Sequence, residues 1–313
     1  MTPFALEVEH LVKVYHPRGR APVRAVNGMS FSVAPGAIFG LLGPNGAGKS
    51  TILRMLTTLS KPSSGTARVA GFDVVERPLE VRRRIAAVLQ ETAVELFLSV
   101  RDNLLTYARF HGLGRSTAVR RAGDVMERFH LESQADNKVQ DLSGGFRRRV
   151  QVAKTFLVDT PLLFLDEFST GMDPLLKREV MAHLRAEARQ GRTIVLTTQV
   201  LSEAEELCDD ILIMNKGEQV ARGDLNTLKL LSRGVYEVAM TFSALPEHIE
   251  QELARLQPLR VHINQNSIEV AFKAEEGRVL EVVTALARDR RVLRVEVSGA
   301  SLEDIFVELT QEK

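Results

Sequence analysis

The chain has no tryptophan, three tyrosines and a single cysteine, Cys208. One cysteine excludes an intrachain disulfide and fits a reducing compartment. It follows the short helix expected at Ser202 to Leu207 and reads as a small buried hydrophobe. No run approaches the roughly 20 apolar residues of a membrane-spanning helix, and no signal-peptide pattern opens the sequence. A membrane process served by this chain would therefore need a separate membrane-spanning protein. Excess charge of one sign is lacking too: 41 Lys+Arg face 40 Asp+Glu, for a net charge of +1. Nothing in that balance favours nucleic acid. The densest basic runs, Arg82-Arg83-Arg84 and Arg147-Arg148-Arg149, fall on predicted helices and read as solvated faces. The second run, just inside a helix start, is also placed to attract phosphate.

What the chain does carry is a loop for phosphate. Gly43-Pro44-Asn45-Gly46-Ala47-Gly48-Lys49-Ser50 satisfies G-x-x-x-x-G-K-[ST]. It follows the apolar run Ala37 to Leu42, a buried strand, and precedes Thr51 to Leu56, where Ile52, Met55 and Leu56 recur at helical spacing. A loop so placed offers a concave row of backbone N–H groups at the positive end of a helix. Gly46 and Gly48 let that backbone bend toward phosphate. Lys49 would reach the outer phosphates, and the Ser50 hydroxyl would ligate Mg²⁺. A second buried-strand run, Leu162 to Leu165, ends in Asp166-Glu167, where ligands of open α/β sheets bind. Asp166 suits the metal and Glu167 suits polarising a water. A third phrase, Leu142-Ser143-Gly144-Gly145, opens a helix marked by Val150, Ala153, Phe156 and Leu157. Ser143 is its natural N-cap, and that helix start would present hydroxyl, amides and positive dipole to an anion.

In this order the three phrases resemble the nucleotide-binding subunits of ATP-binding cassette (ABC) transporters, most closely the group serving drug-, lipid- or ion-exporting permeases. The likeness runs from the start to about residue 225. It implies that ATP is held by Tyr15, stacked on adenine, and by Gly43, Pro44, Asn45, Gly46, Ala47, Gly48, Lys49, Ser50 and Thr51. Ser143, Gly144 and Gly145 would reach the γ-phosphate of ATP bound to a second copy. Mg²⁺ would be held by Ser50, Gln90 and Asp166, and catalysis would fall to Glu167, Gln199 and Lys49. Asp173, ending Ser169-Thr170-Gly171-Met172-Asp173, belongs to the loop through which paired cassettes sense each other. The implied partners are a second copy of the chain and an integral permease of ABC-2 type; nucleic acid is not expected. The implied location is the cytoplasmic face of a membrane.

Four positions depart from the family pattern: Phe146 for Gln, Phe168 for Pro, Met172 for Leu, and Gln199 for the switch histidine. Glutamine can donate a hydrogen bond there but cannot become a cation near neutral pH. The departure keeps open an ATP-gated clamp with little turnover. A soluble, non-transport ATPase of the same family is a further alternative, though such relatives usually carry two cassettes or a long coiled-coil insertion.

The expected architecture is α/β: a phosphate-loop ATPase core with an antiparallel β subdomain and a helical subdomain, plus a small ferredoxin-like α+β C-terminal domain. The boundaries expected are 1–230, with the helical subdomain at about 91–157, and 231–313. In the family the helical part touches the permease, with Glu91 to Leu104 as the contact. Beyond 231, alternation at 235–242, 261–263, 268–272 and 292–297 marks strands, and 246–256 and 276–288 read as helices. That order is the split βαβ pattern. Ser301 to Phe306 opens a terminal amphipathic helix with a capping-box-like start.

Overall fold

Leu6–Tyr15 (β1), which buries Leu6, Val8 and Leu11, pairs antiparallel with Val23–Val33 (β2). Ile38–Leu42 (β3) is buried at every position, and a tight loop carries it into Lys49–Leu56 (α1). Ser64–Val69 (β4) and Phe72–Asp73 (β5) return to the first strands, giving an antiparallel sheet ordered β2-β1-β4-β5. The computed structural model describes residues 4–89, 94–231, 235–245, 248–273, 276–288, 290–299 and 301–311. It divides into two compact units, 1–219 and 220–313.

The first unit continues through Pro78–Arg82 (α2) and Ile85–Val88 (β6) into a helical stretch. That stretch comprises Val100–Phe110 (α3), Arg115–Arg128 (α4) and Gly144–Ala153 (α5). Ser99 caps α3 by accepting the Asp102 N–H at 3.0 Å. The chain then alternates strand and helix: Leu162–Asp166 (β7), Pro174–Arg189 (α6), Thr193–Thr198 (β8), Leu201–Leu207 (α7) and Asp210–Asn215 (β9). Glu218–Gly223 (β10), within which the two units divide, completes a second sheet ordered β10-β9-β3-β8-β7-β6. The strands β9, β3, β8, β7 and β6 pair parallel. Parallel strands need crossovers, and crossover helices cover both faces, so β3, β7 and β8 are buried at every position rather than alternating. One core cluster joins both sheets of this unit, with Phe31 stacked on Phe39 at 5.3 Å. Fully burying a side chain of this size is worth about 1.5–3 kcal/mol.

The second unit holds Leu225–Leu231 (α8), Val235–Phe242 (β11), Ile249–Ala254 (α9), Arg260–Asn264 (β12), Ser267–Lys273 (β13), Glu276–Ala287 (α10), Val292–Gly299 (β14) and Leu302–Gln311 (α11). Its antiparallel sheet runs β12-β13-β11-β14. With two crossover helices this is the ferredoxin-like arrangement. Val238, Met240, Ile268 and Val270 meet Ile249, Leu253, Val279 and Val282 in a separate apolar core. Helix α9 is shorter than the 246–256 expected; residues 246–247 lie outside the described ones. The start of α11 is a reciprocal cap: Ser301 Oγ accepts the Asp304 N–H at 3.2 Å, and Asp304 Oδ2 accepts the Ser301 N–H at 3.0 Å. Arg260 joins this cap to the sheet, pairing with Asp304 at 3.3 Å, Glu303 at 3.1 Å and Glu237 at 3.1 Å.

Candidate active site

Three neighbouring strands deliver the site. In the parallel sheet Leu42 stands beside Thr198, and Thr197 beside Asp166. The loops leaving β3, β8 and β7 therefore emerge side by side at one margin. Sheet direction alone brings together three segments far apart in sequence: 43–50, 166–167 and 197–199.

After β3 the loop turns through Gly48, which N-caps α1 at φ 107°. A side chain there would be strained, and its Cβ would collide with the Ala25 carbonyl oxygen. Asn45 to Thr51, with Ala25 and Glu167, line a cavity of about 320 Å³. Lys49 is buried, its Nζ donating to the carbonyls of Gly43 at 2.6 Å and Pro44 at 3.1 Å. Burial lowers its pKa, and Glu167 and Asp166 oppose that shift, holding the ammonium toward its charged form. The loop thus assembles amide donors, a hydroxyl and a cation around a concave space that fits a triphosphate.

Asp166 ends β7 almost fully buried. Its Oδ1 accepts from Ser50 Oγ at 3.3 Å and from the Thr197 hydroxyl. Glu167 follows in the left-handed region, φ 49°, with its N–H donating to Thr197 O at 3.0 Å. That turn swings its carboxylate out of the sheet, where the Gln199 amide donates to Oε1. Glu167 also borders a second cavity, of about 420 Å³, shared with Gly171, Met172 and Gln199. It stands between the phosphate loop on one side and the 169–173 loop on the other.

The helix opened by Ser143 is built as expected, and one of its arginines is not. Ser143 Oγ accepts the Phe146 N–H at 3.4 Å, and both Ser143 and Gly144 are exposed. A Cβ on Gly145 would lie 2.6 Å from the Gly171 carbonyl oxygen, so glycine is what allows this helix to touch the 169–173 loop. The expectation that 147–149 form a solvated face fails at Arg148, which is buried. Its guanidinium donates to three successive main-chain carbonyls, of Asp166, of Glu167 at 2.7 Å and of Phe168 at 3.2 Å. Arg149 is also drawn in, 3.6 Å from Asp173 and stacked over Phe146 at 4.4 Å. The turn that carries Glu167 is therefore held by a cation from the Ser143 helix.

Asp173 N-caps α6, accepting the Leu176 N–H at 2.9 Å. That bond, followed by Arg149, lowers its pKa. Ser143, Gly144 and Gly145 do not line the phosphate-loop cavity of their own chain. Nor does Tyr15, at the end of β1, half-exposed with Lys13 Nζ 5.1 Å over its ring. Gln90 lies outside the described residues, as do 91–93 of the expected permease contact.

Three residues escaped sequence reasoning: Arg148, Thr197 and Glu203. Arg148 carried only a weak signal, standing four residues before the buried Val152 but away from the stripe of Val150, Ala153 and Leu157. Thr197 could have been found from its place two residues before Gln199. Glu203 is buried under the end of β8, accepting from Thr198 Oγ1 at 2.8 Å and pairing with Lys177 at 3.2 Å. Little in the sequence sets it apart from Glu205 and Glu206 beyond its spacing of four from the apolar Leu207.

Known proteins resemble this chain along most of its length. The family model described as "ABC transporter" matches residues 26–170. The daunorubicin/doxorubicin resistance ATP-binding protein DrrA of Streptomyces peucetius is 37% identical over 98% of this chain and 92% of its own length. Nod factor export ATP-binding protein I of Paraburkholderia xenovorans is 35% identical over 99% of this chain and 98% of its own. Among solved structures, an ATP-binding subunit of an ABC transporter superposes with a TM-score of 0.67 at 27% identity, covering 72% of this chain and 92% of that one. A dimeric bacterial ABC transporter cassette shares the fold, with a TM-score of 0.66 at 23% identity over 70% of this chain and 98% of that one.

Proposed function

The chain belongs to the ABC transporter family as an ATP-binding, ATP-hydrolysing subunit, and from that premise we propose that it dimerises on ATP to drive a separate permease of ABC-2 type. The exported cargo is a drug, lipid or similar amphiphile, as the names of DrrA and the Nod factor protein suggest. Its place would be the cytoplasmic face of a membrane, where such a subunit meets its permease; no helix among the described residues is long and apolar enough to cross one. The observation that carries this reading is the meeting of Lys49, Asp166, Glu167 and Gln199 at one margin of the parallel sheet.

Residues 43–51 cradle the phosphates, and Lys49 exchanges two carbonyl partners for phosphate oxygens. Ser50 and Asp166 offer adjacent hard oxygens, 3.3 Å apart, a donor set suited to magnesium. Bound there, magnesium would neutralise charge on the outer phosphates. Glu167, held in its turn by Arg148, orients the attacking water and receives its proton. Gln199 steadies that carboxylate through its amide. Ser143 and Gly144, both exposed, and Gly145, none of them lining their own cavity, complete the site of a second copy. Asp173 relays between the two sites, and Tyr15 stacks on adenine.

A second reading, an ATP-gated clamp that scarcely turns over, is favoured by the same Gln199–Glu167 bond, because it engages the base before any water does. Phosphate release from the purified chain separates the two. The first reading requires turnover that Glu167→Gln removes, and that variant with ATP and magnesium should sediment as a dimer. A monomeric E167Q protein under those conditions refutes the paired engine.

A further inference from the structure

The sheet of the C-terminal unit has two edges, β12 and β14. Strand β14 is eight residues long, and every residue from Leu293 to Gly299 is exposed. It contains no proline or lysine, the residues that usually blunt an edge. On one face stand Leu293, Val295 and Val297, exposed by 63%, 43% and 45%. On the other stand Arg294 and Glu296, bonded to each other at 2.7 Å and open to solvent. Among the described residues no strand pairs with its outer edge, and an open ladder carrying an apolar row is a template for another strand.

We propose that β14 pairs with β14 of a second copy of this chain, antiparallel across a two-fold axis centred on Val295, joining two ferredoxin-like sheets into one. A two-fold axis normal to a sheet keeps each face on its own side, so residues opposite each other must share a face. Centred on Val295, the pairing sets Arg294 against Glu296 of the second copy, twice, and Leu293 against Val297, twice. Val295 meets its own equivalent. Each intrachain Arg294–Glu296 pair becomes part of a four-charge row, and the apolar row doubles. Moving the centre one residue either way sets Arg294 on Arg294 or Glu296 on Glu296, and like charges directly opposite disfavour pairing. The sequence of β14 is thus self-complementary in one register only among these three, which is why the occupant is a second copy rather than an unrelated strand.

This contact needs no nucleotide, so it stands apart from the ATP-dependent pairing proposed above and can fail without it. The test is sedimentation equilibrium of the full chain without nucleotide, over about 1 to 100 µM. The wild type should dimerise reversibly. Arg294→Glu and Glu296→Arg should each weaken association about tenfold, since each turns two attractive pairs into two repulsive ones. The double variant R294E/E296R should regain wild-type affinity, because opposite charges again face each other; as the swap also restores the intrachain pair, the unchanged melting temperature of the single variants is what separates a contact between copies from a structural role. All three should keep the wild-type melting temperature and the ATP-induced dimerisation of E167Q. A wild type that stays monomeric throughout, single variants that associate normally, or a double variant no tighter than the singles would each overturn the proposal.

Discussion

In the first unit β3, β8 and β7 run parallel, so their C-terminal ends and the loops that follow lie along one margin. In the second unit β11 runs antiparallel to both β13 and β14, and successive strand ends alternate between opposite margins. The parallel sheet therefore concentrates loops, a helix start and carboxylates at one place. The antiparallel sheet concentrates nothing at its ends and offers instead its faces and edges. Burial follows the same division. Strands β3, β7 and β8 are closed on both faces, whereas β14 is exposed along nearly its whole length. Chemistry belongs to the first kind of sheet and surface recognition to the second.

The largest expected effect breaks the first unit and leaves the second untouched. Glu167→Gln removes the proposed base and should lower phosphate release by about 10³-fold, with nucleotide-free association unchanged; an E167Q protein within tenfold of wild type would remove Glu167 from its proposed role. Arg148→Met leaves three buried carbonyls without their donor and frees the Glu167 turn. Turnover should fall about 10²-fold while ATP affinity stays within about threefold, and Arg148→Lys should recover part of the loss. Equal losses in affinity and turnover would reduce Arg148 to a general fold contact.

The converse change is Arg260→Met, which strands the buried Asp304 carboxylate in the second unit. It should destabilise that unit by about 3 kcal/mol, seen as an earlier separate step in thermal unfolding, with phosphate release by the first unit preserved. A single unfolding transition that shifts as a whole would show that the two units do not unfold independently. The smallest effect expected is at the switch position. Gln199→His should raise steady-state phosphate release a few-fold, because imidazole adds a titratable donor beside Glu167. No change, or a fall, would mean that Gln199 and its neighbours already do that work.

The phosphate loop was legible because its glycines, lysine and serine act through local backbone geometry, which eight consecutive residues define. The two buried strands and their acids were legible from runs of apolar residues ending in charge. The strand–helix order of the C-terminal unit could be read from alternation, and the capping box of α11 from Ser301 and Asp304. Arg148 was misread because helical charge runs are usually solvated, and only packing shows which member of such a run points inward. Glu203 was nearly invisible for the same reason, its partners Thr198 and Lys177 coming from other elements.

What the sequence determined by itself is the set of local devices: the loop that binds phosphate, the capped helix starts, the strand ends bearing acids, and the glutamine in place of histidine. Each depends on neighbours within a few residues, so its physics is complete in the primary structure. Only the tertiary structure decided that Thr197 would hold Asp166, that Arg148 would clamp the Glu167 turn, and that β14 would lie at an unpaired edge. Those outcomes depend on strand order and burial, which arise from the free energy of the whole packed chain rather than from any segment of it.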